Sequence, residues 1–193
     1  MAEPHARQAY LDQYGCAKWT PEALATIAEL SPLIELGAGQ GTSLMETKTL
    51  ATVTVMCLGQ WQKALTEMGA DVLAYDNDSS LQPSTTPVGR VLAGDESKLP
   101  WYPLHTLLLV YPPDSDMASE ALKQYHGDYL VYVGEARGGV NADDGFFEAL
   151  EQGWDCVVKL DLEPFPRCYE RLYVLRRQAR DAYPWWASLS LWW

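Results

Sequence analysis

The sequence predicts an α/β fold, in which an open and mostly parallel sheet is flanked by helices and closed by a C-terminal antiparallel hairpin. Three observations predict it. Short apolar segments alternate with segments of helical character along most of the chain. A glycine-rich turn, Gly37-Ala38-Gly39, directly follows the first apolar segment. The last two predicted strands are joined by a link too short for a helix, so they should pair antiparallel.

Composition favours one globular domain spanning residues 1–193. Hydrophobic residues make up 48% and charged residues 21%, a balance that excludes a disordered chain. The 26 acidic residues against 14 basic ones leave a net charge of -12, which repels phosphate backbones and anionic lipid. A long nucleic acid or a membrane is therefore not an expected partner.

The cysteines and histidines carry no metal-binding pattern. Four cysteines are scattered without a CxxC pair, and the three histidines are isolated. We predict reduced cysteines and no metal site. The N-terminus lacks the pattern of a signal peptide, and the longest apolar run, residues 50–58, is too short for a bilayer. These features predict a cytoplasmic protein.

The first elements have clear boundary signals. Residues 1–31 are predicted to form a helical extension, in which Thr20 caps a helix that has Pro21 in its first turn. Pro32 ends this helix, and residues 33–36 read as a short buried strand. A second helix, with Trp61 on its apolar side, ends at Gly69.

The remaining elements follow in alternation. Strands are predicted at residues 71–75, 90–93, 106–111, 129–133, 156–162 and 171–176. Helices are predicted at residues 117–125 and from Phe146 onward. This order of elements, closing on a hairpin, indicates an open and mostly parallel α/β sheet.

Polar groups or tight turns follow five strands in succession. In open α/β sheets, ligands bind beyond the carboxyl ends of the strands, near the point where the strand order reverses. Glycines after the first strand let the backbone approach a ligand closely. Asp76, after the second, is suited to accept hydrogen bonds from both hydroxyls of a ribose. Asp95, after the third, could accept one from an adenine amino group.

This ordered set resembles the class I S-adenosylmethionine-dependent methyltransferases, whose sheet is Rossmann-like. The resemblance covers roughly Leu33 to Arg176 and rests on "ELGAG", "AYD", the "GD" of "LAGDESKL", "LLLVYPPD" and the terminal hairpin. It implies S-adenosylmethionine as the cofactor, bound by Glu35, Gly37, Gly39, Gly41, Asp76 and Asp95. A nicotinamide dinucleotide is the rival, but its binding proteins carry G-x-G-x-x-G where this chain has G-x-G-x-G.

The segment Gly41 to Leu58 is too long for a glycine loop. A ribose-binding acid should follow the last glycine by about 20 residues. Asp76 follows Gly41 by 35 residues and Gly59 by 17. Removing residues 41–58 leaves an uninterrupted strand, turn, helix and strand. Two interpretations remain open: a genuine insertion, with Gly41 or Gly59 as the third glycine, or a retained intron or gene-model error.

Candidate catalytic residues follow the fourth and fifth strands. Methyltransferases acting on amino groups carry Asp, Asn or Ser, then Pro-Pro and an aromatic residue, whereas this chain has "YPPD". Tyr111 could direct its hydroxyl into the site, the backbone at Pro112 could orient a nucleophile, and Glu135 could act as a base if burial raised its pKa. The alternative is that the prolines merely end a strand. Asn141 is interpreted as a helix cap.

Three functions are compatible with these features. The first is transfer of a methyl group to nitrogen or oxygen of a small-molecule or protein acceptor. The second is a catalytically inactive binding or scaffold protein with a methyltransferase fold. The third is a nicotinamide-dependent oxidoreductase. The tail, residues 181–193, holds Trp185, Trp186, Trp192 and Trp193 and is assigned no function.

Overall fold

The computed structural model describes residues 4–38, 43–44, 54–55, 59–77 and 89–179. Within these ranges the helices are α1 (Pro4–Tyr14), α2 (Pro21–Ala28), α3 (Gln60–Glu67), α4 (Met117–Gln124) and α5 (Asp144–Gly153). The strands are β1 (Leu33–Leu36), β2 (Ser43–Leu44), β3 (Thr54–Val55), β4 (Val72–Asp76), β5 (Val91–Ala93), β6 (Thr106–Val110), β7 (Tyr129–Gly134), β8 (Trp154–Asp161) and β9 (Arg171–Arg177). A 3-10 helix spans Glu96–Trp101. Gly39, Gly41 and the tryptophan-rich tail lie outside the described residues.

A seven-stranded sheet has the order β5-β4-β1-β6-β7-β9-β8. Strands β5, β4, β1, β6 and β7 are parallel, and β9 pairs antiparallel with both β7 and β8. Every residue of β1 and β6 is buried, as expected for central parallel strands covered on both faces. The predicted open sheet with a C-terminal antiparallel hairpin is confirmed.

Alternating residues of the central strands feed two hydrophobic cores. Leu107 and Leu109 of β6 pack on one face with residues of α4 and α5, whereas Leu108 and Val110 pack on the other with residues of α2 and α3. This alternation follows from the period-two geometry of a strand. The helices therefore cover the sheet on both faces.

The first capping prediction is confirmed. The Thr20 side chain accepts a hydrogen bond from the Ala23 N–H at 3.1 Å, and Pro21 is the first helical residue. The last strands differ slightly from prediction, since β8 begins at Trp154 immediately after α5. Such shifts of one or two residues arise because helix ends lack a sharp sequence signal.

Two short strands pair with each other within the segment between Gly41 and Leu58. Strands β2 and β3 are antiparallel, with Ser43 opposite Val55 and Leu44 opposite Thr54. The β-branched residues Thr54 and Val55 favour this conformation over the helix start that a glycine loop normally feeds.

One cysteine prediction is wrong. Cys16 is disulfide-bonded, whereas Cys156 and Cys168 are free thiols. Sequence spacing does not determine which thiols a fold brings together, so the absence of a CxxC pair could not exclude this bond. Within the described ranges, no helix is long and apolar enough to cross a membrane, and no group of acidic, His and Cys side chains is arranged to hold a metal ion.

Candidate active site

The glycine turn after β1 is tight. Gly37 has a φ of +77°, which favours glycine, and the N–H groups of Gly37 and Ala38 both donate to the Tyr75 carbonyl, at 2.9 and 3.1 Å. A Cβ added to Gly37 would lie 2.6 Å from Met117 Cε. The Met117 methyl group therefore packs where a side chain at position 37 would lie, so the turn accommodates only glycine without rearrangement.

The two ends of the long loop segment meet. The Gly59 N–H donates to the Ala38 carbonyl at 2.8 Å, so the chain that leaves after Ala38 returns beside it. Gly59, with a φ of +76°, is the residue that precedes α3, and no side chain caps that helix. Of the two glycines proposed from the sequence, Gly59 is therefore the one from which the helix starts.

Glu35 and Asp76 form a buried carboxyl pair near the switch in strand order. Glu35 lies opposite Ala74, and Asp76 follows two residues later on the same side of β4. Glu35 is 2% exposed, and its Oε2 has no hydrogen-bond partner among the described residues. Burial, and then the charge of Asp76, raise the pKa of Glu35 to about 8. A ligand that donates hydrogen bonds or carries positive charge would relieve this arrangement.

Asp95 lies after β5 and caps the 3-10 helix. Its Oδ1 accepts hydrogen bonds from the Ser97 N–H and hydroxyl, which hold the pKa of Asp95 below its usual value. Both bonds go to one oxygen of an exposed carboxylate. The expected contact of Asp95 with an adenine amino group stays a prediction.

Tyr111 is held in an unusual backbone conformation after β6. Its φ is +51°, which is uncommon for a bulky residue, and its N–H donates to the Val133 carbonyl at 2.7 Å. Strained residues of this kind cluster at functional sites. The Tyr111 hydroxyl has no hydrogen-bond partner in the described part of the chain, and burial raises its pKa, followed by the nearby Cys168 and Glu170.

Asn141 joins the ends of β6 and β7. Its side chain is 1% exposed; Nδ2 donates to the Pro112 carbonyl and Oδ1 accepts from the Glu135 N–H, both at 2.9 Å. The expected helix cap is wrong, because Asp143 caps α5 by accepting from the Phe146 N–H. The Pro112 carbonyl, expected to orient a nucleophile, is engaged in this internal bond because buried carbonyls require a donor.

We predict that Asn141→Ala destabilises the protein by about 3 kcal/mol, since it leaves a buried carbonyl and a buried N–H without a hydrogen-bond partner. The free energy of unfolding in urea measures the effect. Gln124→Ala is the control, because this exposed residue ends α4 and should change stability by less than about 0.5 kcal/mol. A loss below about 1 kcal/mol for Asn141→Ala would contradict the bridging role.

A second carboxyl pair lies beyond β7 and before β9. Glu135 Oε1 accepts from the Tyr169 N–H at 3.1 Å. Glu170 is 1% exposed; its Oε1 lies 3.5 Å from the donating Tyr10 hydroxyl, and its Oε2 has no partner among the described residues. The sequence analysis missed Glu170 and Tyr10, because no local signal marks them and only the pairing of β7 with β9 brings Glu170 beside Glu135.

A separate surface cleft of about 610 Å³ lies between α4 and α5 and reaches Arg177. It contains none of the site residues predicted from the sequence. It also lies beside Ala179, where the described residues end, so we assign it no function.

The strand order decides the fold family. Counted along the chain without the short β2–β3 pair, the sheet reads 3-2-1-4-5-7-6, and its last strand is inserted antiparallel between the fifth and the sixth. This is the fold of the class I methyltransferases. The predicted Rossmann-like fold is confirmed, and Glu35, Gly37 and Asp76 lie toward the carboxyl ends of β1 and β4, near the switch point where open α/β sheets bind ligands.

Solved methyltransferase structures resemble the chain at low identity. Magnesium protoporphyrin IX methyltransferase (ChlM) from Synechocystis PCC 6803, with bound SAM, is 11% identical over 90% of this chain and 81% of that one, with a TM-score of 0.48. TrmN from Thermus thermophilus is 16% identical over 81% and 48%, with a TM-score of 0.45. SMU.1697c from Streptococcus mutans, in complex with SAH, is 9% identical over 83% and 99%, with a TM-score of 0.40. No family model and no curated protein matches the sequence.

Proposed function

We propose that this protein is an S-adenosylmethionine-dependent methyltransferase that acts on nitrogen or oxygen of its acceptor. The observation that carries the proposal is the buried Glu35 carboxyl, whose Oε2 is unpartnered beside Asp76 and next to the Gly37 turn. An uncompensated buried carboxyl is costly. A cofactor with an ammonium group and ribose hydroxyls offers the missing donors and the missing positive charge.

The residues present fit this cofactor. Glu35 would accept a hydrogen bond from its ammonium group, and Asp76 would accept bonds from the ribose hydroxyls. The uncapped first turn of α3 suits its carboxylate, because helix N-termini attract anions. When bound, the cofactor supplies an electrophilic methyl group on sulfur.

The side chains beyond β6 and β7 would handle the acceptor. Tyr111 has a hydroxyl available for a hydrogen bond, and the bond from its N–H to the Val133 carbonyl fixes its backbone. Glu135, kept in position by the Tyr169 N–H, can receive a proton from the nucleophile. Direct displacement needs alignment above all, and alignment is what rigid strand ends provide.

The segment of residues 41–58 is compatible with this function. Because Gly59 bonds to Ala38, a chain without those residues would place Gly59 three positions after Ala38. The existing hydrogen bond would then become the i to i+3 bond of a β-turn. We therefore expect a shortened chain to keep the glycine turn and the start of α3.

Calorimetric titration with S-adenosylhomocysteine tests the proposal. We expect micromolar binding by the full chain and by a version lacking residues 41–58, and no competition from a reduced nicotinamide dinucleotide. Binding by the shortened chain alone would identify the long segment as an obstruction, as expected of an inactive scaffold or a misread gene. Absence of binding by both folded chains would contradict the cofactor assignment, and nucleotide binding indifferent to S-adenosylhomocysteine would favour an oxidoreductase.

A further inference from the structure

The ends of β6 and β7 are covered by α1 and by the link between β8 and β9. The Tyr10 ring packs edge-on against the Phe165 ring with centroids 5.3 Å apart, and the Arg7 guanidinium lies 5.0 Å from the same ring. The Lys18 N–H donates to the Tyr10 hydroxyl at 2.8 Å, which fixes that phenol. These contacts pack α1 against the β8–β9 link beside Glu170, whose side chain is almost fully buried.

Beneath this cover, two acidic residues face each other. Gly134 lies opposite Arg171, so Glu135 and Glu170 are the next opposed positions of the antiparallel pair. Like charges in opposed positions destabilise a sheet. Burial, and then the charge of Glu135, raise the pKa of Glu170. The two carboxyl groups are therefore close enough to interact electrostatically.

The unpartnered oxygen of Glu170 identifies what is missing. Its Oε2 is fully enclosed and accepts no hydrogen bond from the described residues, whereas Oε1 faces the Tyr10 hydroxyl. When ionised, a carboxylate oxygen accepts hydrogen bonds only, so a hydrogen-bond donor would complete it. Tyr111 lies close enough to Glu170 and Glu135 for both acids to raise its pKa, and tyrosine rings can attract cations.

The local charges favour a cationic ligand. The Arg7 guanidinium supplies one positive charge near Glu170, hydrogen-bonds the Cys168 thiol and interacts with the Phe165 ring. The two carboxyl groups, Glu135 and Glu170, thus have one guanidinium between them. One further cation would balance the cluster, and the net charge of -12 draws cations toward the protein as a whole.

We propose that the methyl acceptor is a small-molecule amine whose nitrogen binds between Glu135 and Glu170. This inference rests on the proposed methyltransferase function and names its acceptor class. A nitrogen donor would satisfy the enclosed Glu170 oxygen, its positive charge would balance the carboxyl pair, and the Tyr10 hydroxyl lies 3.5 Å from the other Glu170 oxygen. The cover formed by α1 favours a small molecule over a protein side chain.

The transfer balances in protons and electrons. The bound ammonium first gives one proton to Glu135, which leaves a neutral amine with a lone pair. That lone pair forms the nitrogen–carbon bond while the sulfur–carbon bond breaks and its electron pair stays on sulfur. The products are a methylated ammonium, S-adenosylhomocysteine and the proton held by Glu135, which then passes to water.

A panel of paired compounds tests the acceptor class. Propylamine, 2-phenylethylamine and piperidine are each compared with propanol, 2-phenylethanol and cyclohexanol, and methyl transfer is followed from labelled S-adenosylmethionine. We expect at least one amine to be methylated, with kcat/KM at least about 100-fold above that of its alcohol. Equal use of alcohols, preference for a lysine-containing peptide, or no use of any amine by a chain that binds S-adenosylhomocysteine would overturn the proposal.

Substitutions at Glu135 and Glu170 test whether this carboxyl pair is responsible for the use of amines. Glu170→Gln should lower kcat/KM for the amine at least 10-fold while the Kd for S-adenosylhomocysteine changes less than twofold. Glu163→Gln is the control, since Glu163 lies in the same link but pairs with Lys18 on the surface. Glu135→Gln provides a second test if Glu170→Gln does not fold. Unchanged amine kinetics in a folded variant at either position would contradict the proposal.

The assignment of the amine site can be tested separately from the assignment of the cofactor site. Thermal melts with and without the amines are recorded in the absence of cofactor. An amine-dependent rise in Tm that Glu170→Gln abolishes would support the amine site even if S-adenosylhomocysteine does not bind. If neither the melts nor the methylation assay responds to amines, the acceptor assignment is wrong.

Discussion

Glu35→Gln will reduce the loss in free energy of unfolding between pH 5 and pH 9 by about 3 to 5 kcal/mol, the free energy that corresponds to the raised pKa of Glu35. The folded pKa of Glu35 is about 8, against 4.5 for the free group. Between these values the folded state keeps a proton that the unfolded state has released. Stability from this group therefore falls as pH rises from about 4.5 to about 8, and the neutral amide of glutamine removes that loss.

Urea unfolding at pH 5, 7 and 9 measures the effect as a difference between wild type and variant. Glu170, whose pKa is also raised, is present in both chains and cancels in that difference. Glu29→Gln is the matched control, because Glu29 is an exposed glutamate at the end of α2. Parallel stability curves for wild type and Glu35→Gln would show that Glu35 does not hold a proton in the folded state.

Asp76→Asn will weaken binding of S-adenosylhomocysteine by at least about 100-fold, close to 3 kcal/mol. In the proposed complex the carboxylate accepts two ribose hydroxyl bonds, and hydrogen bonds to a charged acceptor are the strong ones. An amide replaces one of these acceptor oxygens by a donor. The same substitution removes the charge that helps to raise the pKa of Glu35, so the Glu35 pKa should fall.

Calorimetry on the folded variant measures the loss of affinity. Asp71→Asn is the control, since Asp71 is an exposed acid just before the amino end of β4, at the opposite end of the strand from Asp76. It should bind as wild type does. A loss of less than about fivefold for Asp76→Asn would contradict its assignment to the ribose.

The fold itself was largely predictable from local sequence. The apolar runs of β1 and β6 indicate strands buried on both faces, and parallel pairing follows from the helices between strands. Thr20 and Pro21 mark a helix start by a purely local mechanism. The glycine turn at Gly37 and the acid at Asp76 were recognisable because the carboxyl ends of parallel strands lie at the same end of the sheet.

The position of the long loop could be inferred from spacing, whereas its geometry could not. Counting from Asp76 predicts that residues 41–58 interrupt the glycine loop, with Gly41 or Gly59 as the third glycine. That the two ends bond to each other, from Gly59 to Ala38, is a contact between residues 21 positions apart. Counting cannot reveal such a contact.

Sequence alone determined the elements, their order and the polar strand ends, because capping, turn chemistry and apolar periodicity act over a few residues. The tertiary structure alone decided which polar groups meet. Asn141 joins Pro112 to Glu135, and Glu170 lies beside Glu135 through the register of β9 on β7. Burial then gives these groups their chemistry, since a carboxyl acquires an unusual pKa only when the packed chain excludes water from it.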